Sequence, residues 1–237
     1  FIRQHQDAIF YCFRGGLRSH VSQQWLQEVG YDMAFVEGGY KALRHHLLQA
    51  IERLVKQLPM LVISGCTGVG KTELLTQLCR CLDLEQLANH RGSSFGRLPG
   101  GQPSQIDFEN RLAVQLLQLE QRGVQPLAIE DESRLIGCCM LPLCLQDKCK
   151  LAPIVLLEAP LQERVERIWR EYVQQALPFY KQQCQQQAVL ALGRALQDNL
   201  DRISKRLGAR IHGEISKLLA DAVLRHHRWS DMISHRL

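Results

Sequence analysis

The segment from Gly65 to Thr72, with the sequence GCTGVGKT, is the feature that most limits what this chain can fold into. It follows the apolar run 60–64 and precedes leucines at helical spacing, so it joins a predicted strand to a predicted helix running to Leu82. Gly65, Gly68 and Gly70 let backbone N–H groups surround a phosphate, Lys71 adds a positive charge, and Thr72 can ligate Mg²⁺. The pattern is a P-loop, and it predicts binding of ATP, GTP or another diphosphate.

An acidic pair follows a second apolar run and is the candidate for holding a metal ion beside the P-loop. Glu130 and Asp131 come directly after the predicted strand at 126–129. In P-loop nucleotide-binding proteins an acidic residue at the end of a neighbouring strand holds Mg²⁺ together with the P-loop hydroxyl. We therefore expect Glu130 or Asp131 to act with Thr72, unless Glu130, Asp131 and Glu132 only cap and solvate the strand end. Arg134 is expected to pair with either a phosphate or Glu130.

The pattern of apolar runs predicts an α/β fold for residues 57–237. Runs at 60–64, 126–129 and 153–157 alternate with helical segments and indicate core strands of a parallel sheet. A polar, glycine-rich stretch at 89–105 precedes a helix extending to Arg122. From Leu161 onward the spacing is almost wholly helical, which predicts a P-loop parallel-sheet domain with a helical carboxy-terminal extension.

Residues 1–56 form a separate predicted unit of the type βαβα. Short apolar runs at 8–12 and 33–36 are predicted strands, and the segments 20–29 and 40–57 have helical spacing. Two parallel strands cannot bury both of their faces, so we expect the first half of this domain to be missing from the chain, which opens on Phe1.

Cys12 lies at the end of the first of these strands and is the candidate nucleophile. It is followed by Arg14, Gly15, Gly16 and Arg18, and then by a helix. Inward backbone N–H groups, an arginine and a helix amino terminus all lower the pKa of a thiol, which makes it a nucleophile at neutral pH. The same loop can bind a tetrahedral anion, and the alternative is a buried strand-end cysteine without a chemical role.

Composition narrows the class of protein further. The apolar fraction of 46% and the charged fraction of 22% predict a globular chain and not a disordered one. The longest apolar stretch, 135–145, is too short to cross a membrane. Nine scattered cysteines without paired C-x-x-C spacing predict reduced thiols, no structural metal and a cytoplasmic location. The net charge, 29 basic minus 24 acidic residues or +5, favours phosphate-bearing partners only modestly.

Two segments of the amino-terminal unit carry a resemblance to a known fold. The loop 12–19 and the downstream segment 36–43, with the sequence VEGGYKAL, resemble the carboxy-terminal half of a rhodanese domain, so we expect a partial rhodanese-like βαβα unit. A rhodanese half joined directly to a P-loop domain is similar to the tRNA 2-selenouridine synthases. The segments 89–96, 130–137 and 204–208 agree with that family, and the match spans nearly the whole chain.

The resemblance implies a transferase that replaces sulfur by selenium in 2-thiouridine at the tRNA wobble position. Geranyl diphosphate would prenylate the sulfur, and selenophosphate, from a selenophosphate-supplying enzyme, would then donate selenium. Cys12 aligns with the essential cysteine of the rhodanese domain, and the P-loop would hold a diphosphate or an RNA phosphate. The resemblance also favours a substrate loop over a mobile surface loop at His90, Arg91, Gly92, Ser93 and Phe95.

Basic residues of the helical tail are candidates for RNA binding. Lys205, Arg206 and Arg210 form one cluster, and further arginines follow from Arg225 to Arg236. With tRNA as the implied partner, these residues are expected to contact the RNA backbone, although helices with interleaved charges usually present only a solvated face.

Two other interpretations remain open from the sequence. One is a P-loop kinase or NTPase with a phosphatase-like or redox-regulated cysteine loop, because five residues between Cys12 and Arg18 match the cysteine-phosphatase spacing. The other is a non-enzymatic RNA-binding remnant in which the rhodanese half is inert.

Overall fold

A computed structural model describes residues 8–98, 100–123 and 126–234. Its helices are α1 (Leu17–Glu28), α2 (Gly39–Gln57), α3 (Lys71–Gln77), α4 (Leu84–Ala88), α5 (Gln105–Gln121), α6 (Leu143–Leu151), α7 (Leu161–Trp169), α8 (Leu177–Cys184), α9 (Ala188–Arg202), α10 (Ser204–Leu207) and α11 (Ala209–Ser234). Its strands are β1 (Met60–Ser64), β2 (Cys81–Leu82), β3 (Leu127–Glu130), β4 (Leu135–Ile136), β5 (Cys139–Met140) and β6 (Ile154–Leu156). A π-helical segment, Arg170–Gln174, continues α7, and a 3₁₀ turn, Gln185–Gln187, follows α8.

Four of these strands form a parallel sheet in the order β2-β3-β1-β6. The strand before the P-loop, β1, lies inside the sheet between β3 and β6, and its bounds match the predicted strand. The strands β4 and β5 form a small antiparallel hairpin outside this sheet. The predicted α/β fold with a parallel sheet and a helical region after residue 161 is therefore confirmed.

Alternation along β1 and β3 assigns their side chains to two faces of the sheet. Val62 and Ile129 join the main core, which α2, α5 and α6 cover. Ile63 and Ala128 point to the other face, where they pack with Leu75 of α3. Successive residues of a strand face opposite sides, so Glu130 falls on the α3 side, next to the P-loop helix.

Helix α2 belongs to the predicted amino-terminal unit but packs on the P-loop sheet. Its residues Leu47, Ile51 and Leu54 are buried in the main core. Arg53 of α2 pairs with Glu120 of α5 at 2.5 Å, and Arg44, earlier in α2, pairs with Glu109, earlier in α5. Because the two pairs follow the same order along both helices, α2 and α5 run parallel. The predicted boundary between the two units, at residue 57, therefore falls between α2 and β1, which share one hydrophobic core.

Three predictions of local structure were wrong. The predicted helix from the P-loop to Leu82 ends at Gln77, because Cys81 and Leu82 pair with β3 as an edge strand. The predicted core strand at 153–157 is an edge strand, β6, whose residues are exposed. The predicted strands at 8–12 and 33–36 form only a single parallel bridge, between Phe10 and Phe35. Among the described residues, no helix has the length and apolar character needed to cross a membrane.

Candidate functional site

The P-loop lies at the carboxyl end of β1, where ligands of parallel α/β sheets bind. Gly68 and Gly70 have φ values of +79° and +97°, a backbone conformation that residues with a side chain rarely adopt. The Lys71 ammonium donates a hydrogen bond to the Gly65 carbonyl oxygen at 3.0 Å, across the mouth of the loop. The loop is thus folded around the position that a phosphate group would take.

Three carboxylates lie beside the P-loop and form a group that we call the acidic cluster: Glu85, Glu130 and Glu132. Their oxygens lie within 4.8 Å of one another. The Thr72 hydroxyl donates to Glu130 Oε1 at 2.8 Å, whereas Asp131 instead accepts from the Ser64 hydroxyl at 2.5 Å. Of the two acidic candidates predicted at the strand end, the structure places Glu130 against Thr72. Glu85 and Glu132 were missed from the sequence, and Glu85 precedes Glu130 by 45 positions.

Burial raises the pKa values of carboxyl groups in the acidic cluster. Glu130 is only 1% exposed. Burial, followed by the negative charge of Glu85, raises the pKa of Glu130 to about 7, and the same causes raise the pKa of Glu132 to about 8. A carboxyl group in such surroundings favours its neutral form until a cation compensates the charge.

The acidic cluster fits a hard divalent cation. Glu130 Oε2 is buried and has no hydrogen-bond partner among the described residues. Mg²⁺ binds oxygen ligands, often through one or two carboxylates plus phosphate oxygens of the substrate. Glu85, Glu130 and Glu132, with the Thr72 hydroxyl, are the groups that would hold such an ion here. Mg²⁺ binding stays a prediction.

Helix α7 and the π-helical segment after it lie over the P-loop. Arg164 Nε donates to the Thr67 carbonyl oxygen at 3.1 Å, and Arg167 Nη1 donates to that of Gly68 at 3.3 Å. Arg167 and Arg170 also pair with Glu73 of α3, at 3.1 and 3.3 Å. The sequence analysis assigned these arginines no role at the P-loop. Their i, i+3, i+6 spacing was a signal that they share one helix face.

The glycine-rich segment 90–98 closes the other side of the P-loop. The Arg91 guanidinium lies 5.0 Å from the centre of the Tyr172 ring, and the hydroxyls of Ser93 and Tyr172 are hydrogen-bonded at 2.6 Å. The Gly92 N–H donates to the Glu85 carboxylate. These contacts connect the predicted substrate loop to both the acidic cluster and the π-helical segment.

Together these elements enclose a cleft of about 180 Å³, which we call the P-loop cleft. Its lining includes Lys71, Thr72, Arg91, Glu132 and Tyr172. Phe95 is half-buried and lies outside this lining, as does Arg134, which is exposed and forms no ion pair with Glu130 among the described residues. His90 is 6% exposed, and burial followed by the charge of Arg97 lowers its pKa.

The loop of residues 12–16, which we call the Cys12 loop, is a second glycine-containing turn that precedes a helix. The Gly15 N–H points at the Cys12 sulfur at 3.1 Å. The nearby Ser19 hydroxyl, which is buried and makes no hydrogen bond at ordinary distances among the described residues, contributes most to lowering the pKa of Cys12 to about 7, and backbone N–H groups of residues 14–16 add to it. Arg14 and Arg18 are exposed. A larger fraction of Cys12 is therefore thiolate at neutral pH than for an ordinary cysteine.

The predicted RNA-binding residues of the tail lie in different structural environments. Arg206 and its neighbour Arg202 face a cleft beside the segment 90–98. Lys205 is exposed outside that lining, and Arg210 pairs with Glu214 at 2.9 Å along its own helix. The side chains of the candidates Arg228 and Arg236 lie outside the described residues.

Comparison with known proteins gives one consistent result. Residues 58–237 match the family model described as "tRNA 2-selenouridine synthase AAA domain". Curated relatives named tRNA 2-selenouridine synthase include those of Pseudomonas fluorescens (47% identity, 100% of this chain, 65% of the relative), Shewanella woodyi (43%, 99%, 64%) and Alcanivorax borkumensis (47%, 92%, 60%). The chain thus spans 60–65% of the length of these relatives. No solved structure matches it.

Proposed function

The chain belongs to the tRNA 2-selenouridine synthase family, and we propose that it carries out the prenyl-transfer and selenation chemistry of a transferase that converts 2-thiouridine to 2-selenouridine in tRNA. In the first step the thiocarbonyl sulfur attacks C1 of geranyl diphosphate. The C1–oxygen bond breaks, and diphosphate leaves with the bonding electrons. In the second step the selenium of selenophosphate attacks C2 of the base, and the geranyl thiolate leaves. Water then attacks phosphorus, the P–Se bond breaks, phosphate is released, and the base keeps selenium at C2 with a proton restored at N3.

The observation that carries this proposal is the composition of the P-loop cleft. A diphosphate leaving group needs cations and N–H donors at its oxygens, and the P-loop, Lys71 and Arg91 offer both. Lys71 would stabilise the charge that develops as the C1–oxygen bond breaks. The acidic cluster would hold Mg²⁺, which supplies further charge neutralisation when bound. This chemistry requires no hydrolysis of ATP or GTP.

The Cys12 loop supports the second step. A thiol with a pKa of about 7 is reactive at neutral pH, and the N–H groups around it suit an anion such as selenophosphate. We assign Cys12 to selenation and not to prenyl transfer, because the P-loop cleft already contains the groups that a diphosphate needs. The partners implied are tRNA carrying 2-thiouridine and an enzyme that supplies selenophosphate.

The test is a two-stage reaction followed by nucleoside mass spectrometry. The protein is incubated with 2-thiouridine tRNA and geranyl diphosphate, and selenophosphate is then added. We expect Lys71→Ala to lower geranylation at least a hundredfold, while Cys12→Ser leaves geranylation intact and blocks selenouridine formation. Lys150→Ala serves as control, because Lys150 is exposed on α6 and pairs only with Asp147 among the described residues.

Two results would contradict this assignment. Normal geranylation by Lys71→Ala would remove the P-loop from the first step. Steady ATP or GTP hydrolysis, or phosphate-ester hydrolysis that disappears with Cys12→Ser, would instead favour an NTPase or a phosphatase-like enzyme.

A further inference from the structure

A second cleft, of about 620 Å³, adjoins the P-loop cleft. It lies between residues 90–98 and 101–102, the β4–β5 hairpin and the junction of α9 with α10. We call it the arginine cleft, after Arg97, Arg202 and Arg206, which line it. Gly92, Ser93 and Ser133 line both clefts, so the two volumes meet at the tip of the predicted substrate loop.

The charge of the arginine cleft differs from that of its neighbour. Glu85, Asp131, Glu132 and Glu171 line the P-loop cleft, whereas none of the described residues that line the arginine cleft is acidic. Its three arginines are exposed, and none forms an ion pair within the described part of the chain. Three uncompensated guanidinium groups around one concave surface favour a polyanion.

Part of the remaining wall of the arginine cleft is apolar or lacks side chains, and His90, Gln102 and three serines line the rest. Leu98, Leu135 and Ile203 contribute apolar surface, and Gly101 and Gly137 leave backbone accessible. Guanidinium planes and apolar side chains both stack on unpaired bases, while phosphates bind the charged edges of arginine. A prenyl chain, by contrast, would leave the three arginines without partners.

We propose that the arginine cleft binds the single-stranded nucleotides of the RNA acceptor that flank the base to be modified. The proposal rests on the proposed function, which requires the acceptor base to reach the P-loop cleft. RNA phosphates contact Arg97, Arg202 and Arg206, and the flanking bases pack on Leu135 and Ile203. The passage past Gly92 and Ser93 then delivers the target base to the diphosphate.

The first test measures RNA affinity by fluorescence anisotropy with a 17-nucleotide anticodon stem-loop that contains 2-thiouridine. We expect Arg206→Ala and Arg202→Ala each to raise the Kd about tenfold and to reduce the slope of log affinity against log salt by about 0.7. The matched control is Arg194→Ala, which removes an exposed arginine of α9, the helix that carries Arg202, outside the lining of either cleft and should change the Kd less than twofold. Calorimetry should show unchanged geranyl diphosphate binding in all three variants.

The second test needs no substitution, because Cys138 is exposed and lines the arginine cleft. Saturating RNA should slow alkylation of Cys138 at least fivefold in the intact protein, as read by peptide mass spectrometry. Cys79 and Cys184, exposed elsewhere, should react at unchanged rates. Unchanged Cys138 alkylation with RNA, or protection by geranyl diphosphate alone, would overturn the proposal, the latter because it would place the prenyl chain in the cleft.

The two proposals fail in different ways. If RNA protects Cys138 and its binding depends on Arg202 and Arg206, but no geranylated nucleoside forms, then the arginine cleft stands and the proposed function fails. If geranylation proceeds and the Arg202→Ala/Arg206→Ala double variant binds RNA as tightly as the unmodified chain, then the function stands and the arginine cleft is wrong.

Discussion

The Cys12 loop and the P-loop are the same kind of turn placed in two different surroundings. Each is a glycine-containing loop between an extended segment and a helix. In the Cys12 loop the Gly15 N–H points at the Cys12 sulfur, and in the P-loop the Lys71 ammonium donates to the Gly65 carbonyl oxygen. The P-loop leaves an interior strand of a four-stranded sheet, with buried side chains on both faces. The Cys12 loop follows a single bridge between Phe10 and Phe35, and its neighbours Tyr11, Phe13 and Leu17 are more than half exposed.

This difference shows that a loop motif can be recognised in the sequence although the sequence does not reveal which strands and helices stabilise it. The Cys12 loop keeps its shape through backbone hydrogen bonds to the start of α2, from Tyr40 N–H to Cys12 O at 2.9 Å and from Lys41 N–H to Phe13 O at 3.1 Å. The P-loop relies in addition on a packed core. Substitutions near the two loops should therefore have very different effects on stability.

The largest contrast is expected between buried and exposed leucines of the two regions. Leu112 of α5 is fully buried behind the sheet, and Leu17 at the start of α1 is 79% exposed. Leu112→Ala should lower the free energy of unfolding by about 2–5 kcal/mol, because it leaves a cavity. Leu17→Ala should change it by less than about 0.5 kcal/mol. Urea denaturation measures both, and equal losses would contradict the comparison.

A pair of matched glycine substitutions should separate the loops themselves. An added Cβ at Gly68, where φ is +79°, would lie 2.7 Å from the Arg164 carbonyl oxygen, whereas one at Gly16 would meet no atom within 4 Å. Gly68→Ala should cost about 2–4 kcal/mol of stability and weaken pyrophosphate binding. Gly16→Ala should stay within about 0.5 kcal/mol. Denaturation and calorimetry test this, and intact pyrophosphate binding by Gly68→Ala would show that α7 yields to the new side chain.

The acidic cluster should make the P-loop region sensitive to pH. The folded-state pKa of Glu130, about 7, exceeds its ordinary value of 4.5, so the folded protein binds more protons than the unfolded chain between these values. Stability should therefore fall as pH rises from about 4.5 to 7, by roughly 3 kcal/mol from this group. Glu130→Gln should remove most of that fall and be the more stable protein at pH 8. Denaturation in a chelating buffer measures this, and parallel pH profiles of the two proteins would contradict it.

A smaller and purely chemical effect is expected at the Cys12 loop. Alkylation of Cys12 should rise with pH through about 7, where its thiolate forms. Ser19→Ala removes the largest cause of the lowered pKa, so the midpoint should move upward and the rate at pH 7 should fall several-fold. Ser22→Ala, one turn further along α1, is the control. An unchanged midpoint in Ser19→Ala would assign the reactivity to the backbone N–H groups alone.

The sequence predicted the parts of the molecule that depend on neighbours along the chain. The bounds of β1 agree with the structure, and α5 ends within one residue of the predicted position, because apolar spacing and flanking loops determine both. The helix predicted through Leu82 failed because Leu75 and Leu82 are both buried, one in a helix and the other in a strand, and the spacing alone cannot separate these cases.

The composition of the clefts depended on contacts between distant segments. Glu85 meets Glu130, Arg91 meets Tyr172, and Arg97 and Arg206 line one cleft only because the sheet and the later helices bring them together. No local pattern encodes these pairs. The P-loop and the Cys12 loop could be singled out because each pattern lies within a few consecutive residues, whereas the segment 89–96 was favoured through the family resemblance; their roles stay predictions.

The position of helix α2 affects how the protein unfolds. Its first residues hydrogen-bond to the Cys12 loop, and only two residues separate its end from β1. Its side chains Leu47, Ile51 and Leu54 are buried in the main core. A chain cut at Leu58, where the family model begins, would lose one wall of that core. The cooperative folding unit is therefore larger than the segment recognised by its sequence, and heating should melt the P-loop sheet and the support of Cys12 in a single transition.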